Sequence, residues 1–242
     1  MTLFLSMASE RREPASSTGT SNVRDPSQDR HPFAAPNRIT VVSGLPRSGT
    51  SLAMQILAAA RLEVAQDGER SPDPDNPRGY FELEAVKRIR RDASFLAGCR
   101  GQVVKVVAPL LMALPKHFAY RVLFVERDLA EILASQRRLL ERQGGQGGIT
   151  SDGATDEVLA QAFRKALDRC RAWLARTPEV PALFVDHRAL HESTGESVCR
   201  IARFLEQTGE GAWTADSAAV EHAQAAMIRV VDPALYRSRG GS

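Results

Sequence analysis

Cysteine is scarce in this sequence, and long apolar runs are missing. The three cysteines, Cys99, Cys170 and Cys199, are widely spaced, so they form neither the close pairs of a structural zinc site nor a secreted disulfide framework. The first apolar run, Leu3–Leu5, is too short for a signal peptide, and nothing downstream is long enough to span a membrane. These absences predict a soluble, cytoplasmic protein in a reducing compartment.

A strong excess of charge of one sign is also missing. The 242 residues carry 32 basic and 29 acidic side chains, and the resulting net charge of +3 argues against general coating of nucleic acid. Lysine is rare within the basic set, with only Lys87, Lys105, Lys116 and Lys165. The hydrophobic fraction of 43% and the length suit one globular domain around one core.

The N-terminal stretch, residues 1–37, differs in composition from the rest of the chain. It is rich in Ser, Pro, Arg, Asp and Gln, with only scattered apolar residues, and such a segment buries too little surface to offset chain entropy. We predict a disordered tail over residues 1–37 and a single domain over residues 38–242.

Short β-branched runs alternate with longer helical patterns in that domain. Parallel strands need crossover connections, which are usually helices, so this alternation predicts an α/β fold with a central parallel sheet and helices on both faces. The predicted strands are Ile39–Ser43, Val103–Val107, Tyr120–Glu126 and Ala182–Val185, and the predicted helices between them are Thr50–Ala60, Leu83–Ala97, Leu129–Arg142 and Asp156–Arg176.

The first strand runs directly into the segment Gly44–Ser51, GLPRSGTS, and then into a helix. Glycines let successive backbone N–H groups converge, and the helix start adds partial positive charge, so this context predicts an anion-binding loop. The lysine of the NTPase loop is replaced by Thr50, and the basic residue is Arg47. A guanidinium suits a single phosphate or sulfate group, whereas a Mg²⁺-dependent kinase or NTPase would need the lysine.

A second anion site is predicted where the third strand ends. Arg127 follows that strand, and Ser135 lies eight residues later on the adjoining helix, so the two side chains can converge on one phosphate. The spacing alone equally allows Arg127 to pair with Glu131 and leaves Ser135 as an ordinary helix residue.

Together these two segments resemble the cofactor motifs of the sulfotransferase family. GLPRSGTS resembles the 5′-phosphosulfate loop, with PRSGT similar to the tyrosylprotein and bacterial branches, and VERDLAEILASQRR is similar to the 3′-phosphate motif. The resemblance implies a P-loop NTPase-like fold that binds 3′-phosphoadenosine 5′-phosphosulfate (PAPS). It also implies that Arg127 and Ser135 hold the 3′-phosphate, while the 5′-phosphosulfate is held by Arg47, Ser48, Gly49, Thr50 and Ser51. No metal is expected, because the histidines show no spacing typical of metal ligands and His187 with His191 is interpreted as a chance pair in a loop.

A base for the acceptor proton is harder to assign, because Val107 stands where the cytosolic sulfotransferases have histidine. The segment GYFELE resembles a bacterial sulfotransferase segment, and its Glu82 matches the family's glutamate; the alternative is that Glu82 only favours a helix start. Lys105 matches the strand lysine of the family, and the resemblance implies a catalytic role in which it orients the sulfuryl group or stabilises charge on the leaving phosphate. An unpaired ammonium is costly in an apolar strand, so we expect an anionic partner for Lys105; the alternative is a lysine that reaches water at the strand end. Arg47 is assigned electrostatic stabilisation.

The sequence therefore predicts an enzyme that moves a sulfuryl group from PAPS to a hydroxyl or amine acceptor, leaving 3′,5′-adenosine bisphosphate. Two alternatives stay open. One is a Mg²⁺-dependent P-loop kinase or NTPase, and the other is a noncatalytic nucleotide-binding protein, since one fold supports many functions.

Overall fold

The computed structural model describes residues 31–68, 79–142, 153–210, 217–232 and 236; most of the predicted tail, residues 1–30, lies outside this part of the chain. Four strands and seven α-helices are present in the described residues. In chain order they are β1 (Arg38–Gly44), α1 (Thr50–Ala59), β2 (Val103–Lys105), α2 (Ala108–Leu111), β3 (Ala119–Glu126), α3 (Leu129–Arg142), α4 (Gly153–Ala175), β4 (Ala182–Asp186), α5 (His187–Glu192), α6 (Thr194–Gln207) and α7 (Ser217–Val230).

The four strands form one sheet in the order β2-β1-β3-β4, and every pairing is parallel. Val41 of β1 lies opposite Val104 of β2 on one side and Val122 of β3 on the other, while Val125 of β3 lies opposite Val185 of β4. The predicted α/β class with a central parallel sheet is confirmed. Because all strands run the same way, their carboxyl ends meet at one edge.

The core consists of two layers, one on each face of the sheet. Successive strand residues point to opposite faces, so Val41 joins one apolar cluster and Val42 the other. Helices α1, α5, α6 and α7 cover the Val42 face, and α2, α3 and α4 cover the Val41 face. In the described ranges, no helix has the length and apolarity needed to cross a membrane.

Part of the segment before β1, which its composition assigns to the tail, packs against the domain. Phe33 is completely buried in the core, and its carbonyl oxygen accepts a hydrogen bond of 2.8 Å from Nη2 of Arg121. The buried Arg121 guanidinium also donates to Thr40 Oγ1 at 2.9 Å and to the Leu205 carbonyl at 2.8 Å. Burial lowers the pKa of Arg121 to about 10, so it stays charged at neutral pH and ties this segment to β1 and α6.

Several local predictions were wrong. Instead of one α-helix over 83–97, two 3₁₀ segments, Glu84–Arg88 and Ser94–Cys99, are separated by a turn in which Asp92 Oδ1 accepts from the Ser94 amide. Asp competes in this way with helical backbone bonds. Strand β2 ends at Lys105 rather than at residue 107, so this lysine lies at the carboxyl edge of the sheet.

Candidate functional site

Polar and charged side chains collect at the carboxyl edge of the sheet. Lys105 ends β2, Arg127 directly follows β3, and His187 directly follows β4. The loop 45–49 leaves the same edge from β1, which lies between β2 and β3. The two predicted phosphate motifs and the predicted catalytic strand lysine therefore surround one position in the fold.

The loop between β1 and α1 contains two residues with a positive φ. Arg47 has a φ of 69° and Gly49 a φ of 100°, both in the left-handed region. Gly49 also lies directly against the ring of His187, where an added Cβ would come within 2.2 Å of Cδ2. Glycine is thus required at position 49 for two independent reasons, the positive φ and the contact with His187.

The start of α1 is open to an anionic ligand. No side chain caps the helix, and no acidic residue lies in its first turn. The Ser48 hydroxyl is buried and has no hydrogen-bond partner among the described residues. Uncapped helix amides together with an unsatisfied buried hydroxyl fit a phosphate or sulfate group. Thr50 and Ser51 form the first turn of the same helix.

The second motif lies directly against the first. Arg47 Nε donates to Ser135 Oγ at 3.1 Å, and Arg127 Nη1 donates to the Arg47 carbonyl at 3.0 Å. Arg127 Nε also forms the ion pair with Glu131 that the sequence left as an alternative, at 2.9 Å. Asp128 caps α3 by accepting from the Glu131 amide at 3.2 Å, which fixes the turn that carries Arg127.

Lys105 connects the loop with the segment that carries Glu82. Its Nζ, on a side chain only 7% exposed, lies 3.4 Å from Glu82 Oε1. The same nitrogen donates to the Tyr80 carbonyl at 2.9 Å and to Ser51 Oγ at 3.2 Å. The anionic partner expected for Lys105 is therefore Glu82, and the two predicted catalytic residues are adjacent. Glu82 precedes the 3₁₀ segment Glu84–Arg88, so it does not stabilise an α-helix start.

Sequence reasoning missed the residues that follow β4. The spacing of His187 and His191 predicts a chance pair in a loop, but both lie on helix α5, with ring centroids 4.9 Å apart. The ring of Tyr236 stacks on His191 at 4.7 Å, and its hydroxyl donates to Glu131 Oε1 at 3.4 Å. Ligands commonly bind where the carboxyl ends of parallel strands meet, so the position of His187 directly after a predicted strand is the signal that could have indicated these residues.

His187 is neutral in this environment. Burial, followed by the nearby positive charge of Arg127, lowers its pKa to about 3. Its Nδ1 is buried and has no hydrogen-bond partner in the part of the chain that the structure describes. Within the described ranges, no group of three or more His, Cys, Asp or Glu residues could hold a metal ion.

Comparisons with known proteins yield structural similarity at low identity. No protein-family model matches the chain, and no curated protein matches it in sequence. The sulfotransferase domain of an olefin synthase from Synechococcus PCC 7002 is similar over 86% of this chain and 89% of its own, with 16% identity and a TM-score of 0.46. A retinol dehydratase crystallised with androsterone and the inactive cofactor PAP is similar over 78% of this chain and 64% of its own, with 18% identity and a TM-score of 0.44.

Proposed function

We propose that the chain is a sulfotransferase that binds PAPS and moves its sulfuryl group to a hydroxyl or amine acceptor. The observation that carries the proposal is the direct contact between the two anion-binding motifs. Arg47 reaches Ser135 at 3.1 Å, and Arg127 holds the Arg47 carbonyl at 3.0 Å. A nucleoside with phosphate groups at both its 3′ and 5′ positions needs two anion-binding motifs side by side.

The residues present fit such a ligand. The uncapped start of α1 and the unsatisfied Ser48 hydroxyl would hold the 5′-phosphosulfate, with Gly49, Thr50 and Ser51 forming the surrounding turn. Arg47 uses only Nε in its bond to Ser135, so its remaining N–H groups are available to stabilise charge on sulfate oxygens. Arg127 and Ser135 would hold the 3′-phosphate, in competition with Glu131 and Arg47.

Glu82 is the proposed base for the acceptor. PAPS supplies the sulfuryl group, and the protein must remove the acceptor proton and stabilise the leaving phosphate. The Glu82 side chain is 31% exposed, so an acceptor can reach it, and Lys105 holds the carboxylate at 3.4 Å. Lys105 also bonds Ser51 in the phosphate loop at 3.2 Å, so one ammonium links the base to the cofactor loop.

Calorimetry with three ligands tests the cofactor. We expect 3′,5′-adenosine bisphosphate to bind at least tenfold more tightly than 5′-AMP, because a charged phosphate contact contributes roughly 1.5–3 kcal/mol. It should also bind more tightly than ATP with Mg²⁺. Arg47→Ala and Arg127→Ala should each weaken binding of the bisphosphate. A preference for ATP with Mg²⁺ would favour the kinase alternative and contradict the proposal.

Turnover tests the base separately. Glu82→Gln keeps the size of the side chain but cannot accept the acceptor proton, so kcat for sulfuryl transfer from PAPS should fall by roughly 10²-fold. Affinity for the bisphosphate should stay nearly unchanged. Glu84, two residues along and paired with Lys87 at 2.6 Å, provides a matched control as Glu84→Gln. Normal turnover in Glu82→Gln would place the base elsewhere.

A further inference from the structure

One carboxylate at the edge of the site holds two arginines, one from the segment after β3 and one from the segment after β4. Glu131 Oε2 accepts from Arg127 Nε at 2.9 Å, and Glu131 Oε1 accepts from Arg188 Nη2 at 2.8 Å. The Glu131 side chain is 14% exposed, so this meeting point is largely enclosed. Arg188 belongs to neither phosphate motif, and the sequence pattern gives no reason to select it.

Strand register explains why Arg188 lies beside Arg127. Glu126 of β3 pairs with Asp186 of β4, so the chain segments that follow these two strands leave the sheet next to each other. Asp186 Oδ2 accepts from the Ala189 amide at 2.9 Å and thereby caps helix α5. This cap fixes the turn in which His187 points inward and Arg188 points outward, with 57% of the Arg188 side chain exposed.

Three guanidinium groups meet at this position. Arg127 donates to the Arg47 carbonyl, Glu131 joins Arg127 to Arg188, and Glu192 is a second carboxylate that acts on Arg188. His187, packed among these groups, adds no charge because burial lowers its pKa to about 3. An ion pair to an exposed arginine contributes little to the stability of the fold, so the pair of Arg188 with Glu131 does not by itself explain why arginine stands at position 188. A phosphate monoester, by contrast, is suited to two guanidinium forks.

We propose that Arg188 is a further ligand-binding residue, which forms with Arg127 a two-arginine clamp for a phosphate monoester. This inference rests on the proposed function, in which that phosphate is the 3′-phosphate of the nucleotide. The contact with Glu131 holds Arg188 beside Arg127, and the Tyr236 hydroxyl is a further hydrogen-bond partner of Arg188. Because 57% of the Arg188 side chain is exposed, a ligand can still reach its guanidinium group. Arg188 on α5 thereby adds a contact to the 3′-phosphate, whose other proposed ligands, Arg127 and Ser135, belong to the carboxyl end of β3 and to α3.

Calorimetry with 3′,5′-adenosine bisphosphate and 5′-AMP isolates the 3′-phosphate. Arg188→Ala should weaken binding of the bisphosphate about tenfold and leave binding of 5′-AMP unchanged, because only the first ligand carries the group that Arg188 contacts. Arg188→Lys should restore part of the loss, since it keeps the charge but not the fork.

Arg171 offers a matched control. Its side chain is 52% exposed and pairs with Glu126 at 2.6 Å at the end of β3, closely resembling the pair of Arg188 with Glu131. It lies on α4, which covers the opposite face of the sheet, so Arg171→Ala should leave both affinities unchanged.

The outcomes separate the two proposals. If the unmodified protein prefers the bisphosphate and Arg188→Ala keeps that preference, the clamp is refuted while the proposed cofactor stands. An equal loss for both ligands in Arg188→Ala would indicate a general structural effect and would also overturn the clamp. If the unmodified protein binds both ligands equally, the 3′-phosphate site itself is wrong, and the assignment of Arg188 fails with it.

Discussion

Acidification is expected to destabilise the fold through His187. The pKa of this histidine is about 3 in the folded protein, against about 6.5 in an unfolded chain. Between these values the unfolded state binds one more proton than the folded state, so stability falls as the pH falls. From pH 7.5 to pH 5 the linkage amounts to about 2 kcal/mol of the free energy of unfolding. Urea denaturation followed by circular dichroism at the two pH values measures this loss.

A glutamine variant separates His187 from the other titrating groups. His187→Gln retains a neutral polar side chain of similar size but cannot take up the proton, so its loss between pH 7.5 and pH 5 should be smaller than that of the unmodified protein by about 2 kcal/mol. His222 is exposed on α7, and His222→Gln should preserve the full pH dependence. An unchanged pH dependence in His187→Gln would refute the argument that burial keeps His187 neutral.

Two further substitutions test the contact between the loop and His187 and the anchoring of the segment before β1. Gly49→Ala places a Cβ within 2.2 Å of His187 Cδ2 at a φ of 100°, so we expect calorimetry to find at least a tenfold loss of affinity for 3′,5′-adenosine bisphosphate. The double variant Gly49→Ala with His187→Ala should recover part of that loss, and no recovery would contradict the steric reason. Arg121→Met removes the donor to three buried acceptors and should lower the free energy of unfolding by about 3–5 kcal/mol, with faster amide exchange around Phe33; a loss below 1 kcal/mol would contradict the proposed anchoring.

The fold was largely predictable because its signals are local. Each strand is a short β-branched run between helical patterns, and that alternation predicts a parallel sheet without any knowledge of contacts. The burial of Phe33 was not predictable, because it depends on Arg121, which lies 88 residues away in the sequence. Composition alone treats residues 31–37 as a tail, since no local pattern indicates that a buried guanidinium will bind there.

Part of the candidate site followed from motif spacing, and part did not. The proximity of the two phosphate motifs follows once β1 and β3 are neighbours in a parallel sheet. The pairing of Lys105 with Glu82 is predicted only as a need for some anion, because the helical pattern over 83–97 does not reveal the turn at Asp92 that sets the path of the chain between them. Arg188 and His187 follow β4 without a recognisable motif, and only the strand order reveals that they reach the same edge.

The hydrogen bonds that join Arg47 to Ser135 and Arg127 to the Arg47 carbonyl make the two ends of the site thermodynamically coupled. Residues that share a hydrogen-bond network do not contribute additively, so a double-mutant cycle between Arg47 and Ser135 will carry its own interaction energy. In the proposed site, a phosphate that draws Arg47 toward itself would release Ser135 for a second phosphate, so binding of one end of a bisphosphate would favour binding of the other end. A molecule with a single phosphate would gain nothing from that cooperation.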